Sequence, residues 1–522
     1  MNIAALLHDQ AIAHGSRTAI IERDRTVTFD ELDRGAAAAA ADLAAAGIRP
    51  GMRALVFVPM SIGLYTTMIG MFRLRATAVF VDPSAGRERL AQCITRTRPE
   101  ALIAVPRAHL LRLSSRAIRR LPLKISVGGW VPFAAGIGAR LAPHAGPVEP
   151  CDPDTPAIIT FTSGSTGEPK AALRTHGFLV AQHEALVDAL ALAPGDVDLT
   201  TLPIFLLANL ASGVTSVIPD ADLRAPGAID PGPVLSQVRA ARATRTVASP
   251  ALMLRLAGHP GAAGALGTLR RVFTGGAPVF PATLDAIAAA APAAVVTAVY
   301  GSTEAEPIAE IERGDVSAQD RVAMREGAGL LTGRPTPSIE VRILPDRWGT
   351  PAGPWTRAQF EREALAPGSV GEIVVIGAHV LAGYLDGRGD EETKITVDAR
   401  VWHRTGDAGY FDMRGRLWLL GRCAARVQDE HGTLYPFAVE CAASDIPGLE
   451  RTAFVQREGR RWLVAQLVAP PVAGKDSVLS EIRARLAWAR LDDILVVARI
   501  PVDARHNAKV DYAALETLIA NR

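Results

Sequence analysis

The chain has 522 residues, too many for one ordinary core, so two or more domains are expected. Apolar residues at 49% and charged residues at 21% describe a soluble globular protein, and a formal net charge of +2 gives no case for nucleic-acid binding through bulk charge. The cysteines Cys93, Cys151, Cys423 and Cys441 lie far apart with no CxxC pair, which argues against a zinc site or a disulfide framework and fits a reducing compartment. Residues 1–9 lack a basic leader and a signal-length apolar core. No run reaches the roughly 18 apolar residues of a membrane span, so a cytoplasmic protein is expected.

Residues 28–47 open a predicted helix with Thr28 or Asp30 as its cap. The alanine run within it reads as helix propensity, and Gly47 as its stop. Residues 53–59 read as a strand, a helix passes through Met68 to Arg75, and residues 78–83 form a second strand. Strand, helix and strand at this spacing predict a parallel sheet with crossover helices. Between Glu100 and Glu149 there is no acid, while Arg107, Arg112, Arg116, Arg119, Arg120, Lys124 and Arg140 are basic and interleave with leucine and isoleucine. Such a segment is a docking face for a partner protein or for an anionic membrane surface, or else a solvated helix face balanced by acids elsewhere.

The apolar run 157–161 predicts a buried strand delivering a loop of Thr162, Ser163, Gly164, Ser165, Thr166 and Gly167, with Lys170 close behind. Glycines let the backbone approach a ligand, and hydroxyls with freed N–H groups can surround a polyphosphate. The lysine adds a point charge for the same anion. The Walker spacing is absent, since no Gly-Lys-Ser/Thr follows. By composition alone the stretch would serve equally as a surface linker.

Residues 181–192 read as a helix and residues 202–210 as a mostly apolar turn region. Residues 245–253, 271–278 and 295–304 repeat a strand-then-helix pattern. From Gly333 a glycine-punctuated β segment follows, with loops at 346–349 and 386–390 and a strand at 371–376. The apolar strand 417–420 closes it, and a domain boundary there divides residues 1–420 from a small α+β lid at 421–522. No internal repeat of solenoid period is present.

Four further stretches join the loop: Tyr300-Gly301-Ser302-Thr303-Glu304, residues 402–410 around Asp407, Gly421-Arg422, and His506-Asn507-Ala508-Lys509. In order and separation they resemble the adenylate-forming superfamily of acyl-CoA synthetases, peptide-synthetase adenylation domains and luciferases, over nearly the whole chain. The resemblance implies an α/β fold. Its large N-terminal domain has stacked, mostly parallel sheets flanked by helices plus a small β subdomain, followed by the lid. It also implies a reaction: a carboxylate attacks the α-phosphate of ATP to give an acyl-AMP and pyrophosphate. Two anions must meet, so cations and N–H donors are needed where charge builds up.

By the same resemblance the loop from Ser163 to Lys170 holds the β- and γ-phosphates and Thr303 contacts the α-phosphate. Glu304 holds Mg²⁺, an ion that takes few protein oxygens beside substrate phosphates. Asp407, assisted by Arg422, takes the ribose hydroxyls. Lys509 bridges carboxylate and α-phosphate. Gly275, Gly276, Ala277 and Tyr300 frame the adenine, with Thr162 and Gly301 completing the nucleotide-binding set. Each has a plainer reading: Asp407 as a turn acid, Glu304 as an acid at a helix N-terminus, Lys509 as a solvated terminal lysine. His403 and His176 read as structural.

The chain departs from the acyl-CoA synthetase pattern at several points. Ala424 stands where that pattern has an acidic hinge residue, Ala171 follows the loop lysine in place of glycine, and Ile204-Phe205-Leu206-Leu207 replaces an aromatic-histidine turn. The adenylation half is intact and CoA is left without an evident role. These departures, with Val81-Asp82-Pro83, residues 215–220 and 249–253, and Arg505 to Lys509, resemble the β-lactone synthetases of bacterial olefin biosynthesis. That resemblance implies activation of a hydrophobic 2-alkyl-3-hydroxy acid and closure to a β-lactone, with partner enzymes of the same pathway. Thioester formation with CoA or an acyl-carrier protein is the alternative chemistry, and a nucleotide-binding scaffold without turnover the alternative class. The acyl pocket is expected near residues 202–217 and 248–253, whose apolar content favours a hydrocarbon chain.

Overall fold

The computed structural model describes residues 1–82, 86–163, 169–468, 474–502 and 509–520. Two sheets carry the architecture. The smaller runs in the order Ala135–Ile137, Leu123–Val127, Ala101–Ala104, Arg53–Phe57, Thr77–Val79, Pro156–Ser163, Pro169–Thr175. Its strands are parallel up to Pro156–Ser163, which pairs antiparallel with its successor. In the longer sheet, Thr18–Glu22, Thr215–Ile218, Val197–Thr200, Arg245–Ala248, Arg271–Gly275 and Val295–Ser302 are parallel neighbours. The chain belongs to the α/β class, and helices cover these parallel strands.

The longer sheet does not stop at Val295–Ser302. It continues antiparallel through Ala305–Glu312, Leu330–Pro335 and Leu417–Arg422 to Arg400–Phe411 and Gly371–Ile376. The β segment expected as a small β subdomain is this antiparallel continuation of the parallel half. The helix expected after residues 295–304 is also absent. Ser302 pairs with Ala305 across a tight turn, and its hydroxyl accepts the N–H groups of Glu304 at 3.2 Å and Ala305 at 3.3 Å.

Helix Phe29–Ala45 starts at Thr28, whose hydroxyl accepts from the Glu31 N–H while the Glu31 carboxylate takes the Thr28 N–H. Its alanines do more than favour helix. A Cβ placed on Gly70, in helix Ile62–Arg73, would stand 3.0 Å from Ala40 N and 3.1 Å from Ala36 O, so the two helices meet backbone to backbone. Residues 202–210, expected as a turn, contain helix Pro203–Ala211, with proline at its first position and its apolar residues buried against the core.

Strand Leu417–Arg422 crosses the expected boundary at 420, because Arg422 is still paired with Asp407. Beyond it come the hairpin Val427–Asp429/Gly432–Leu434, helix Pro436–Ala443 and a three-stranded sheet of Leu449–Arg457, Arg460–Leu467 and Asp493–Val497. The later elements bury their own apolar clusters, around Val439, Phe454 and Leu463 and around Val464, Ile500 and Leu515. The unit is pinned to the rest by the Arg325–Asp445 ion pair at 2.5 Å, by Phe437 edge-on to Phe280, and by Trp488 lying over Gly327.

Candidate active site

A cleft of about 1790 Å³ lies between the long sheet and the C-terminal unit. Its walls include Lys170, Gly276, Ala277, Tyr300, Gly301, Thr303, Glu304, Asp407, Arg422 and Lys509, brought together from distant stretches of chain. Gly275 is not part of the described lining. A Cβ there would meet Val299 O at 2.5 Å, so this glycine lets two parallel strands close up beneath the cleft. The side chains of Thr162 and Ser163, and all of Gly164, Ser165, Thr166 and Gly167, lie outside the described residues. So do residues 503–508 just before Lys509.

One polar cluster centres on Asp407. Strand pairing sets Asp407 opposite Arg422, whose Nε stands 3.2 Å from Asp407 Oδ1. The Tyr300 hydroxyl donates to Asp407 Oδ2 at 2.7 Å from a neighbouring part of the same sheet. Arg422 also donates to the Thr405 carbonyl at 3.0 Å, and the Asp407 N–H donates to the Thr405 hydroxyl at 3.0 Å. Burial and the adjacent Asp407 carboxylate hold the Tyr300 phenol well above its ordinary pKa, so it remains the donor. The carboxylate is thus fixed in place beside a cation at the cleft wall.

A second cluster surrounds Glu304 in the hairpin turn, so the reading of Glu304 as a helix N-terminal acid does not hold. Its Oε1 accepts the Tyr384 hydroxyl at 2.8 Å. Lys394 lies close by, donating to the Leu381 carbonyl and standing 3.2 Å from His403 Nδ1. Burial pushes the Lys394 ammonium down to about 8, with Glu304 and Asp390 pulling the other way. Burial, reinforced by Lys394, drives His403 down to about 3, which leaves a neutral imidazole packed inside the fold. His176 is likewise buried, pushed down to about 4, with Nδ1 accepting the Ile3 N–H at 3.2 Å.

Lys170 has a partner that its sequence context does not reveal. Its ammonium donates to Glu392 Oε2 at 2.6 Å, and its methylenes run past Gly389, where a Cβ would stand 2.9 Å from Lys170 Cδ. Tyr384, Glu392 and Lys394 were not singled out from the sequence. They act across separations of 80 and 222 residues, and the Gly383-Tyr384 pair in a loop is the faint signal they leave. The acyl-pocket expectation needs correction too: helix Pro203–Ala211 gives its side chains to the core, and none of its residues is in the described cleft lining. Pro250, Ala251 and Leu254 do line it, with Phe80, Val81 and Leu223.

The stretch after Arg422 is a short turn, Cys423–Ala425, with Ala424 facing the cleft. Immediately beyond, Arg426 reaches Asp346 at 3.3 Å, and the Tyr435 hydroxyl donates to the same carboxylate at 2.8 Å.

Residues 7–385 match the family described as AMP-binding enzyme. The chain belongs to that family. This AMP-binding enzyme is 35% identical over 514 residues to the olefin beta-lactone synthetase of Stenotrophomonas maltophilia, covering 95% of this chain and 92% of that protein. It is 37% identical over 517 residues to the olefin beta-lactone synthetase of Xanthomonas campestris pv. campestris, covering 93% and 90%. In fold it is similar to ATP-bound MatB from Rhodopseudomonas palustris, with a TM-score of 0.80, 20% identity and 99% of each chain covered. It is an adenylate-forming enzyme. Among the described residues no helix is long and apolar enough to cross a membrane.

Proposed function

We propose that this enzyme activates a hydrophobic 3-hydroxy fatty acid with ATP and closes the product to a β-lactone. The observation that carries the reading is the identity with two olefin beta-lactone synthetases along more than nine-tenths of this chain. In the first step a carboxylate oxygen attacks the α-phosphorus, the bond to the β-phosphate oxygen breaks, and pyrophosphate leaves. In the second, the 3-hydroxyl oxygen attacks the acyl carbon, its proton passes to solvent, the acyl–phosphate bond breaks, and AMP leaves.

Asp407 takes the ribose hydroxyls, oriented by Tyr300 and charge-balanced by Arg422, while Gly276 and Ala277 border the adenine. Thr303 meets the α-phosphate, and Lys509 offers an ammonium to the oxygens on which charge accumulates. The loop of Thr162 to Gly167 with Lys170 takes the outer phosphates. Glu304 suits Mg²⁺, being a single hard carboxylate at the cleft. Among the described residues no group of three or more His, Cys, Asp or Glu converges, so the ion's other oxygens would come from nucleotide and water. When bound, that ion supplies charge neutralisation on the phosphates.

Two features support lactonisation over thioester formation. A well-placed internal hydroxyl reacts with an effective molarity of about 10⁵ M or more, less what ring strain returns, so no second substrate is required. The hinge turn also lacks an acid, and Arg426 and Tyr435 both hold Asp346, an arrangement suited to a C-terminal unit that stays put. The apolar side chains of Phe80, Val81, Leu223 and Leu254 suit a hydrocarbon chain. The test is a panel of carboxylic acids with ATP, read first as pyrophosphate release and then by NMR of the acyl product, with CoA present. A β-lactone from 3-hydroxy acids is expected. A thioester as the sole acyl product would replace lactonisation by ligation, and no pyrophosphate with any acid would favour a scaffold.

A further inference from the structure

The acid-free segment carries an exposed apolar tip. Leu110 and Leu113, in the turns after strand Ala101–Ala104, are 62% and 77% exposed, and Trp130 and Phe133, after strand Leu123–Val127, are 83% and 93% exposed. The two loops are joined, since Arg112 Nη1 donates to the Pro132 carbonyl at 3.2 Å. Both rest on fixed supports: His109 is buried with Nε2 3.2 Å from the Ile125 carbonyl, and the Ser126 hydroxyl donates to the Gly129 carbonyl at 2.6 Å. Phe133 sits at φ 59°, a conformation unfavourable for a bulky residue, so the loop accepts backbone strain to present an aromatic ring to water.

Arg107 precedes and Arg112 lies within the turns that carry Leu110 and Leu113, and the exposed Arg116, Arg119 and Arg120 follow in the next helical turn before strand Leu123–Val127. Among the described residues none of them enters an ion pair, whereas Arg140 of the same segment is taken up by Asp42. We infer that this patch is a docking site for an anionic lipid bilayer: the Trp130, Phe133, Leu110 and Leu113 side chains enter the interface while the arginines meet headgroup phosphates. Charge complementarity selects this occupant. A second copy meeting the same patch face to face would set five arginines against five with no acid between them. A nucleic acid would answer the arginines but not two exposed leucines. Tryptophan beside arginine is the pairing that the headgroup region of a bilayer favours.

The position of the patch gives the contact a direction. Strands Ala101–Ala104, Leu123–Val127 and Thr77–Val79 run parallel, so the described residues that follow them leave the same edge of the sheet. Phe80, Val81 and Asp82, directly after Thr77–Val79, line the cleft. Four strand spacings, about 19 Å, separate Leu123–Val127 from Pro156–Ser163. The docked protein therefore turns this edge of the cleft toward the bilayer.

The experiment is vesicle co-sedimentation of the full chain with phosphatidylcholine alone and with phosphatidylcholine plus phosphatidylglycerol, at low and high salt. It is paired with quenching of tryptophan emission by brominated lipid and with size-exclusion chromatography. Binding to the anionic vesicles alone is expected, weakened by salt. The affinity should fall roughly tenfold or more in Trp130→Ala/Phe133→Ala and about fivefold per charge in Arg116→Gln/Arg119→Gln. Pyrophosphate release with a water-soluble acid should be unchanged in both. The inference is overturned if neither vesicle binds the wild type, or if both variants bind as the wild type does. It is also overturned if the variants instead dissociate an oligomer or lose only nucleic-acid binding. None of these outcomes bears on the acyl-adenylate reading, which the pyrophosphate assay tests separately.

Discussion

Replacing Asp407 by Asn tests the nucleotide reading at its centre. The carboxylate receives the Tyr300 hydroxyl at 2.7 Å and faces Arg422 at 3.2 Å, so both partners hold it oriented before a ligand arrives. A ribose hydroxyl donating to that anion forms a charge-assisted hydrogen bond, worth about 1.5–3 kcal/mol more than none. An amide keeps the shape and loses the charge. Loss of that contact lowers kcat/KM for ATP by roughly 10- to 150-fold, since about 1.4 kcal/mol is tenfold. The ribose is remote from the reacting phosphorus and its contact is the same before and during reaction, so the loss should fall on KM with kcat nearly unchanged. The assay is pyrophosphate release over a range of ATP, 2′-deoxy-ATP and 3′-deoxy-ATP, for wild type and variant, with melting temperatures to confirm folding. If Asp407 holds the sugar, removing a hydroxyl costs the wild type and costs the variant little, a coupling a double cycle reads directly. Strictly additive losses, or a fall in kcat alone, would refute the assignment.

Tyr384→Phe removes the donor 2.8 Å from Glu304 and should raise the Mg²⁺ concentration needed for half-maximal pyrophosphate release several-fold with little change in stability. A flat Mg²⁺ titration would separate Glu304 from the metal. Gly70→Ala should destabilise the protein although alanine is the better helix former by about 1 kcal/mol. The added Cβ meets backbone at 3.0–3.1 Å, and overpacking costs about 1–3 kcal/mol, so a lowered melting temperature is expected. Glu440 is buried, accepts the Phe454 N–H and the Tyr512 hydroxyl at 3.0 Å each, and burial pushes it from its ordinary 4.5 up to about 7. A raised carboxyl pKa gives stability that is full below pH 4.5 and lost as pH rises through 7, at up to about 1.4 kcal/mol per pH unit. Denaturant midpoints measured between pH 4.5 and 7.5 should show that slope in the wild type and not in Glu440→Gln.

What could be read from the sequence was what is local. Thr28 and Glu31 cap a helix within four residues, and alternating strands and helices announce a parallel sheet, so both were legible. Asp407 and Arg422 were legible as motif members, and the structure places them opposite each other on neighbouring strands. The antiparallel return after Ser302 was not legible, because a strand followed by polar residues looks the same whether a helix or a hairpin comes next. Helix Pro203–Ala211 was misread because a short apolar run has no periodicity to separate turn from buried helix. Glu392 beside Lys170 was beyond reach, since nothing in 222 intervening residues advertises the pair.

Arg422 occupies the last rung of a sheet and, at the same time, the doorstep of the C-terminal unit. The Asp407 pairing fixes that guanidinium from the sheet side. On the proposed reading, gripping the sugar and delivering Lys509 are then mechanically independent tasks. Ribose contacts can then be made or broken while the pinned C-terminal unit keeps Lys509 at the cleft wall.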